Sequence, residues 1–400
     1  MTANKIKCDI AIFGGGVAGL WLLAELRQQG YQTLLFETEA LGAGQTRFAQ
    51  GIIHGGTKYA LMGKITASSE AISAMPKIWR DSIEGKGSVD LRLVKVLSKN
   101  QCMWSSGALS SRMAGFFASK MMSSRTEELK DNERPKVFQN IAFKGKVYNL
   151  DEPVLDTASI TYALAKNNND AIMRIISTPE FNNAANTEFT VKDNNGAAWE
   201  IETQRCVLMA GQGNEDLLNA MNKKSNLPKM QLRPLKMVML RGGLPEKLYA
   251  HCLEANVNPR LTITSHEDSH GETVWYVGGK IAEEGIHRSD AEQIKVAKQE
   301  FNEVMPWLDL NQAQWACLDI NRAEPLMDKG KRPDTSFFVE VDKVITAWPT
   351  KLALAPKLAN DIIEKIKNNV ISSGVSQFPD FAKPGYAVLP WQEESRWSQK

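Results

Sequence analysis

The sequence predicts an α/β fold that opens on a Rossmann-like nucleotide-binding unit and carries a second, mixed α+β domain. Three observations support this. A short apolar strand, Asp9 to Phe13, runs directly into Gly14-Gly15-Gly16-Val17-Ala18-Gly19, which fits the pattern G-x-G-x-x-G. Leu20 to Leu26 then reads as a helix that is apolar all round and ends near Gly30, and a second apolar strand from Gln32 ends in the acid Glu37. The glycine pattern says little alone; strand, glycines, helix, strand and acid in order within one βαβ-sized unit are the context it requires. Third, 400 residues exceed the size at which one core usually keeps growing, so two domains are expected.

Each part of the opening unit has a physical task. Gly14 permits the tight turn out of the strand, Gly16 lets backbone approach a pyrophosphate, and Gly19 lets the helix pack on the sheet. Val17 and Ala18 complete the loop before the helix, whose free N–H groups and positive dipole end face the phosphates. Glu37, with Thr38 beside it, is placed to accept hydrogen bonds from ribose hydroxyls, and an acid there repels a 2′-phosphate, which argues against NADP.

Composition narrows the class. The apolar fraction is 43% and the net charge +2, which suggests neither disorder nor a nucleic-acid footprint. Cysteines stand singly at 8, 102, 206, 252 and 317, with no C-x-x-C, as in a reduced intracellular protein. Ile10 to Leu26 follows two lysines and invites a signal-peptide reading. Its glycines and Glu25 make it a poor membrane span, so no targeting segment and no transmembrane helix are expected.

After Glu37 a long small-residue stretch runs to Tyr59, including Gly44-Gln45-Thr46, Gln50-Gly51 and Ile52-Ile53-His54-Gly55-Gly56-Thr57-Lys58-Tyr59. Functional loops are the usual reason for such length. Its glycines suit close approach to a ligand, and Thr46 offers a hydroxyl donor for phosphate. Taken with the glycine unit, this chain resembles the D-amino-acid oxidase-type (DAO) superfamily of FAD enzymes, with the GR2/DAO type of FAD-binding domain. The I-H-G-G-x-[RK]-Y segment is most similar to FAD-dependent glycerol-3-phosphate dehydrogenases, and L-2-hydroxyglutarate dehydrogenases have a similar turn. The resemblance covers the flavin-binding parts, roughly half of the chain, and implies FAD as cofactor. FAD is also preferred over NAD because a second phosphate- and ring-facing loop follows the glycine loop and the chain returns to the first domain at its end.

Further along, Ile65 to Ile83 has helical spacing and Asp90 to Ser98 reads as a strand. Ser105 to Arg125 is a basic amphipathic stretch with Met113, Phe116, Phe117, Met121 and Met122; it suits a membrane surface, but a substrate-domain helix packing into a core is the preferred reading. Thr157 to Lys166 reads as a helix and Met173 to Ser177 as a strand. Glu188 to Lys192 and Trp199 to Thr203 flank the turn Asp193-Asn194-Asn195-Gly196, and Cys206 to Gly213 reads as a buried strand ending in a glycine turn. By resemblance, Ile175 or Ile176 covers the adenine, while Ala210 and Gly211 lie near the pyrophosphate. Gln231 to Gly242 reads as a strand, Pro259 to Thr264 and Val274 to Val277 as a hairpin, and Ala291 to Met305 as a helix. Val344 to Lys351 is a last buried strand and turn. Ala355-Pro356 opens a final helix, with proline in its tolerated first turn. The tail from Ser372 reads as a surface arm. The expected division is a discontinuous FAD-binding domain of residues 1–85, 150–228 and 335–400, and a substrate domain of residues 86–149 and 229–334.

His266-Glu267-Asp268-Ser269-His270 matches H-E-x-x-H, but zinc binding by that motif needs a helix, whereas this one lies between strand-like runs and ends in turn residues, so no metal site is expected. Five residues are candidates for catalysis. His54 lies in a glycine-flanked turn that related flavoproteins place beside the isoalloxazine. Lys58 and Tyr59 match the Arg-Tyr pair of the glycerol-3-phosphate enzymes, with a point charge in place of a planar fork. Arg322, in Asn321-Arg322-Ala323-Glu324-Pro325, falls where the resembled family often carries an Arg-Pro-type segment near the substrate, which implies a carboxylate or phosphate clamp, the alternative being a salt bridge to Glu324. Thr350-Lys351 falls where the family has G-G-K facing the flavin, and a cation there stabilises reduced flavin; Lys280 is a lesser candidate for the pocket roof.

The expected activity is FAD-dependent oxidation of a small anionic hydroxy or amino compound by hydride transfer to flavin N5, as in glycerol-3-phosphate dehydrogenases. An amino-acid oxidase or dehydrogenase and an L-2-hydroxyglutarate-type dehydrogenase stay open, as does, with less support, a non-enzymatic or RNA-linked flavoprotein. Electrons leave to a quinone or oxygen. No nucleic-acid partner is expected, and the location is cytoplasmic, with a peripheral contact at the inner membrane kept open.

Overall fold

The computed structural model describes residues 4–56, 72–105, 126–221, 228–253, 259–327, 333 and 335–397. Lys58, Tyr59, the start of the helical run from Ile65, and the amphipathic stretch from residue 106 to Arg125 lie outside the described residues.

Two eight-stranded sheets organise the chain. The first is built on β1 (Asn4–Phe13), α1 (Val17–Gln28) and β2 (Thr33–Glu37). β1 lies parallel to β2 on one side and to Ala198–Leu208 on the other. Ile172–Arg174 extends the sheet beyond β2, and Val344–Trp348 lies parallel beside Cys206 to Leu208. Such a sheet is buried on both faces, which is why β1 reads as a continuous apolar run. α1 is apolar all round for the same reason: it packs on the sheet and also against the helices Ala355–Ile366 and Thr157–Lys166. The hairpin at Asp193 forms as its sequence suggests: Gly196 takes φ +79°, and the Asp193 carboxylate accepts from the N–H groups of Asn195 and Ala197.

The second sheet runs in the order Gln314–Pro325, Met230–Arg241, Thr273–Gly278, Leu261–Glu267, Ala250–Cys252, Gln101–Ser105, Lys146–Leu150, Thr126–Glu128. It is antiparallel except where Ala250–Cys252 meets Gln101–Ser105. Its residues alternate between two cores. Val238, Leu240, Trp275 and Val277 face one core with Phe301 of the helix Asp290–Val304. Met237, Met239, Val274 and Tyr276 face the other. Among the described residues no helix is long and apolar enough to cross a membrane. All five cysteines are free thiols.

Two expectations need correction. Of Asp90 to Ser98 only Val96–Ser98 is a strand, paired with Val154–Leu155; the preceding residues turn, and the Asp90 carboxylate accepts from the N–H of Arg92. The tail from Ser372 is no surface arm. It crosses the first sheet, where the Ser373 N–H donates to buried Asp9, and then pairs with Leu41 through Gly385 and Ala387. It ends on the second sheet with Leu389, Trp391 and Trp397 buried. The tail's tryptophans cover that face of the sheet together with Ala282 of the short helix Lys280–Glu284. Trp391 stacks on the His266 ring at 3.7 Å between centroids, Arg241 lies over Trp397, and Glu394 pairs with Arg241 at 3.0 Å.

Candidate active site

The glycine loop has the geometry its sequence requires. Gly14 adopts φ +114°, and a Cβ there would meet the Met209 carbonyl oxygen at 2.6 Å and Ala210 at 2.7 Å. A Cβ on Gly19 would stand 2.0 Å from the Gly14 carbonyl oxygen, so α1 can sit this close to the turn only with glycine. α1 starts with no side-chain cap from Gly16 and no acid in its first turn. The Val17 N–H donates to the Thr46 hydroxyl at 3.1 Å, and as a hydroxyl Thr46 keeps a hydrogen to donate onward. The first-turn N–H groups of a helix have no acceptor within the helix itself, which is what a phosphate cradle requires. Glu37 spans the loop: one carboxylate oxygen accepts from the Gly15 N–H at 2.6 Å, the other from the Glu39 N–H at 2.7 Å. Burial raises its pKa despite these donors. Ala210 and Gly211, the latter at φ +59°, lie beside this loop at the end of the neighbouring strand. Thr38 and Gly44 are exposed at its rim, and Ala18 is buried in α1. Ile176 is exposed after the strand Ile172–Arg174, its N–H given to the Lys192 carbonyl.

A cavity of about 530 Å³ opens from this loop across the second sheet. Val17, Gln45, Thr46, Gln50, Gly51, His54, Arg322, Thr350 and Lys351 line it, so the candidates from four separate chain segments share one space. Gly51 is held at φ +76°, where a Cβ would fall 2.0 Å from the Leu155 carbonyl oxygen. Gln45 accepts from the Ala323 N–H, and the Gln50 amide donates to the carbonyls of Thr262 and Tyr276 at 3.0 and 3.1 Å. These two glutamines join the flavin-type loop to the second sheet. Thr350 sits at φ +62°, a conformation glycine takes without strain, and donates to the Thr335 carbonyl at 3.0 Å. The glycine-like turn before Lys351 is therefore kept without glycine. Lys280 is not among the lining residues; it pairs with Glu284 at 3.6 Å.

Three residues of the cavity were not singled out by sequence. Arg233 stands directly opposite Arg322 in the pairing of Met230–Arg241 with Gln314–Pro325, and its guanidinium lies 3.5 Å from buried Glu324. Glu324 is thus near Arg233, not the expected partner of Arg322 alone. Glu152 and His251 come from the turn after Lys146–Leu150 and from the strand Ala250–Cys252. Glu152 is buried and lies 3.3 Å from His54 Nδ1. The His251 ring stacks on His54 at 5.7 Å between centroids, and its Nδ1 lies 2.9 Å from the Thr262 hydroxyl. Ligand-type atoms of His54, Glu152 and His251 all lie within 4.8 Å of one another. Burial raises the Glu152 pKa, but the hydrogen bond and charge of His54, with the Gly55 N–H and His251, outweigh it and bring the group down to about 2. His266 and His270 of the H-E-x-x-H motif lie on a strand end and the following turn, with His266 buried against Trp391.

The fold has known counterparts. The family model described as FAD dependent oxidoreductase (DAO) matches residues 9–344. A relative named probable FAD-dependent oxidoreductase PA4991, from Pseudomonas aeruginosa, is 42% identical over 391 residues, covering 97% of this chain and 98% of that protein. Its crystal structure superposes with a TM-score of 0.84 over 98% of each chain, at 38% identity. Glycine oxidase from Geobacillus kaustophilus superposes with a TM-score of 0.64 at 13% identity, covering 94% of this chain and all of that one. L-alpha-glycerophosphate oxidase from Mycoplasma pneumoniae, solved with FAD bound, gives 0.63 at 12% identity, covering 96% of this chain and all of that one. The last two likenesses are of fold.

Proposed function

The chain belongs to the FAD-dependent oxidoreductase (DAO) family, and from that premise we propose that it oxidises a small anionic hydroxy or amino compound by hydride transfer to flavin N5, in the manner of glycerol-3-phosphate dehydrogenases. The observation that carries this reading is the pair Arg233 and Arg322, opposite each other across two strands and lining the same cavity as His54. Guanidinium groups are planar forks suited to carboxylate or phosphate.

The residues present fit FAD: a glycine turn with no room for a Cβ, an uncapped helix start for the pyrophosphate, and an acid at the end of β2 for the ribose. When bound, FAD supplies the two-electron acceptor. Gly14, Gly16, Gly19, Val17 and Thr46 would hold its phosphates, and Glu37 its ribose. Arg322, with Arg233 beside it, would hold the substrate's anionic group, which converts encounter into orientation. His54 would take the hydroxyl proton as the C–H bond breaks, and Lys351 would stabilise negative charge on the flavin side. Met103, Leu150, Met237 and Ile320 line the remaining wall with apolar surface that excludes water. A quinone or oxygen would take the electrons onward.

The test is anaerobic bleaching of the flavin absorbance in purified holoenzyme against hydroxy acids, amino acids and glycerol 3-phosphate. Bleaching by one anionic member is expected, with reoxidation by a quinone or by air identifying the acceptor. Bleaching by neutral or cationic compounds alone would overturn the anionic reading.

A further inference from the structure

The cavity's histidine end holds a buried carboxylate that the proposed reaction does not yet use. Glu152 is 3% exposed and accepts from the Gln101 side-chain amide at 2.7 Å, Gln101 itself being 1% exposed. The Gly55 N–H is a further donor. An ionised carboxylate has acceptors only. Its contact with His54 Nδ1 at 3.3 Å therefore requires the hydrogen to be on that nitrogen.

We infer that Glu152 is a positioning residue: held by Gln101 and Gly55, it fixes neutral His54 as the Nδ1–H tautomer and leaves the lone pair on Nε2, the ring nitrogen directed away from it. The inference rests on the reading of His54 as the proton acceptor. A neutral imidazole has one donor and one acceptor nitrogen, and the hydrogen bond made by one decides the state of the other. In the reaction, the substrate's O–H bond breaks and its proton passes to Nε2. The adjacent C–H bond breaks with its electron pair leaving to the oxidised flavin, and a carbonyl forms. The imidazolium so created lies against a carboxylate already ionised, so the site gains no unpaired buried charge. His251 stacks on His54, and its own Nδ1 lies 2.9 Å from the Thr262 hydroxyl. The same three side chains have the composition of a divalent-metal set. The hydrogen bonds already made by Glu152 to Gln101 and Gly55 favour the tautomer role.

The chain has five histidines, few enough to resolve by nuclear magnetic resonance of holoenzyme labelled with ¹⁵N-histidine. The His54 signals, assigned by their loss in His54→Asn, are expected to show a protonated Nδ1 and an unprotonated Nε2 at neutral pH. Glu152→Gln, with its flavin spectrum retained, should lose this state and show mixed or reversed tautomers, while Glu152→Asp should restore part of it. The unaltered holoenzyme is itself decisive if Glu152→Gln does not fold. A protonated Nε2 with a bare Nδ1 in the native protein would overturn the inference. So would stoichiometric Zn²⁺ shifting the His54 and His251 signals together at micromolar concentration. The outcome is separate from the substrate test: an Nδ1–H tautomer with no bleaching by any compound would leave the positioning role standing and remove the proposed reaction.

Discussion

The two ends of the cavity are built in opposite ways. The proposed dinucleotide end, which reaches the cavity at Val17, is made of backbone: Gly14, Gly16, Gly19 and the N–H groups of α1, all within one βαβ unit. The histidine and arginine end is made of side chains brought together from positions 54, 101, 152, 233, 251 and 322 on strands or turns of different segments. The first end depends on what side chains are absent, the second on which are present. Mutations should therefore remove cofactor at one end and chemistry at the other.

The largest effect expected is from His54→Asn. General-base assistance contributes about 10²–10⁴-fold, so the rate of flavin bleaching should fall by that order while the bound flavin remains. If the rate holds, the two ends do not divide the work as described. Trp391→Ala should come next, at about 3–5 kcal/mol by chemical denaturation, because the tail's tryptophan is fully buried in the core on that face of the second sheet. A change near zero would return the tail to a surface role. Gly14→Ala should cost on the order of 1–3 kcal/mol for the contacts with Met209 and Ala210, with a further penalty for φ +114°. Its readout is flavin per protein, expected to fall sharply. Arg322→Ala should raise the KM for the bleaching substrate by about ten- to a hundredfold, the loss of one charged hydrogen-bonding group, with flavin content unchanged.

The last test concerns His266, the strand histidine that the tail's Trp391 covers. Burial lowers His266 to about 3, while the unfolded chain keeps its ordinary value near 6.5. The unfolded state then binds more protons, so stability is full above about pH 6.5 and is lost as pH falls toward 3. Glu152, at about 2 in the fold against 4.5 unfolded, adds its own loss only below about pH 4.5. Urea midpoints between pH 6.5 and 4.5 should therefore slope downward, and His266→Gln should flatten that limb. A slope unaltered by the substitution would assign it elsewhere.

Much of the fold was legible where local chemistry decides. Thr157–Lys166 has the helix bounds its sequence suggests, with Asp156 capping through Ser159. The Asp193 turn and the strand into Val344–Trp348 also stand where they were read. Asp90 to Val94 was misread because an Asp-initiated turn overrode a short apolar alternation. The tail was misread because proline and tryptophan mark a surface arm only if no sheet face awaits cover. Arg322 could be singled out, but Arg233 carried no local signal. What brings Arg233 beside Arg322 in the cavity is a strand partner some ninety positions away.

The βαβ unit, the glycines and the acid closing β2 were decided within about thirty residues, because a tight turn and a helix start are local events. Family membership and FAD follow from that unit and the loop after it. The carboxylate beside His54, the partner strand that sets Arg233 opposite Arg322, and the cover on the second sheet were decided only by the tertiary structure. A hydrogen bond such as Gln101 to Glu152 to His54 depends on distances that strand order and register create, and nothing in the residues flanking Glu152 records which histidine will stand 3.3 Å away.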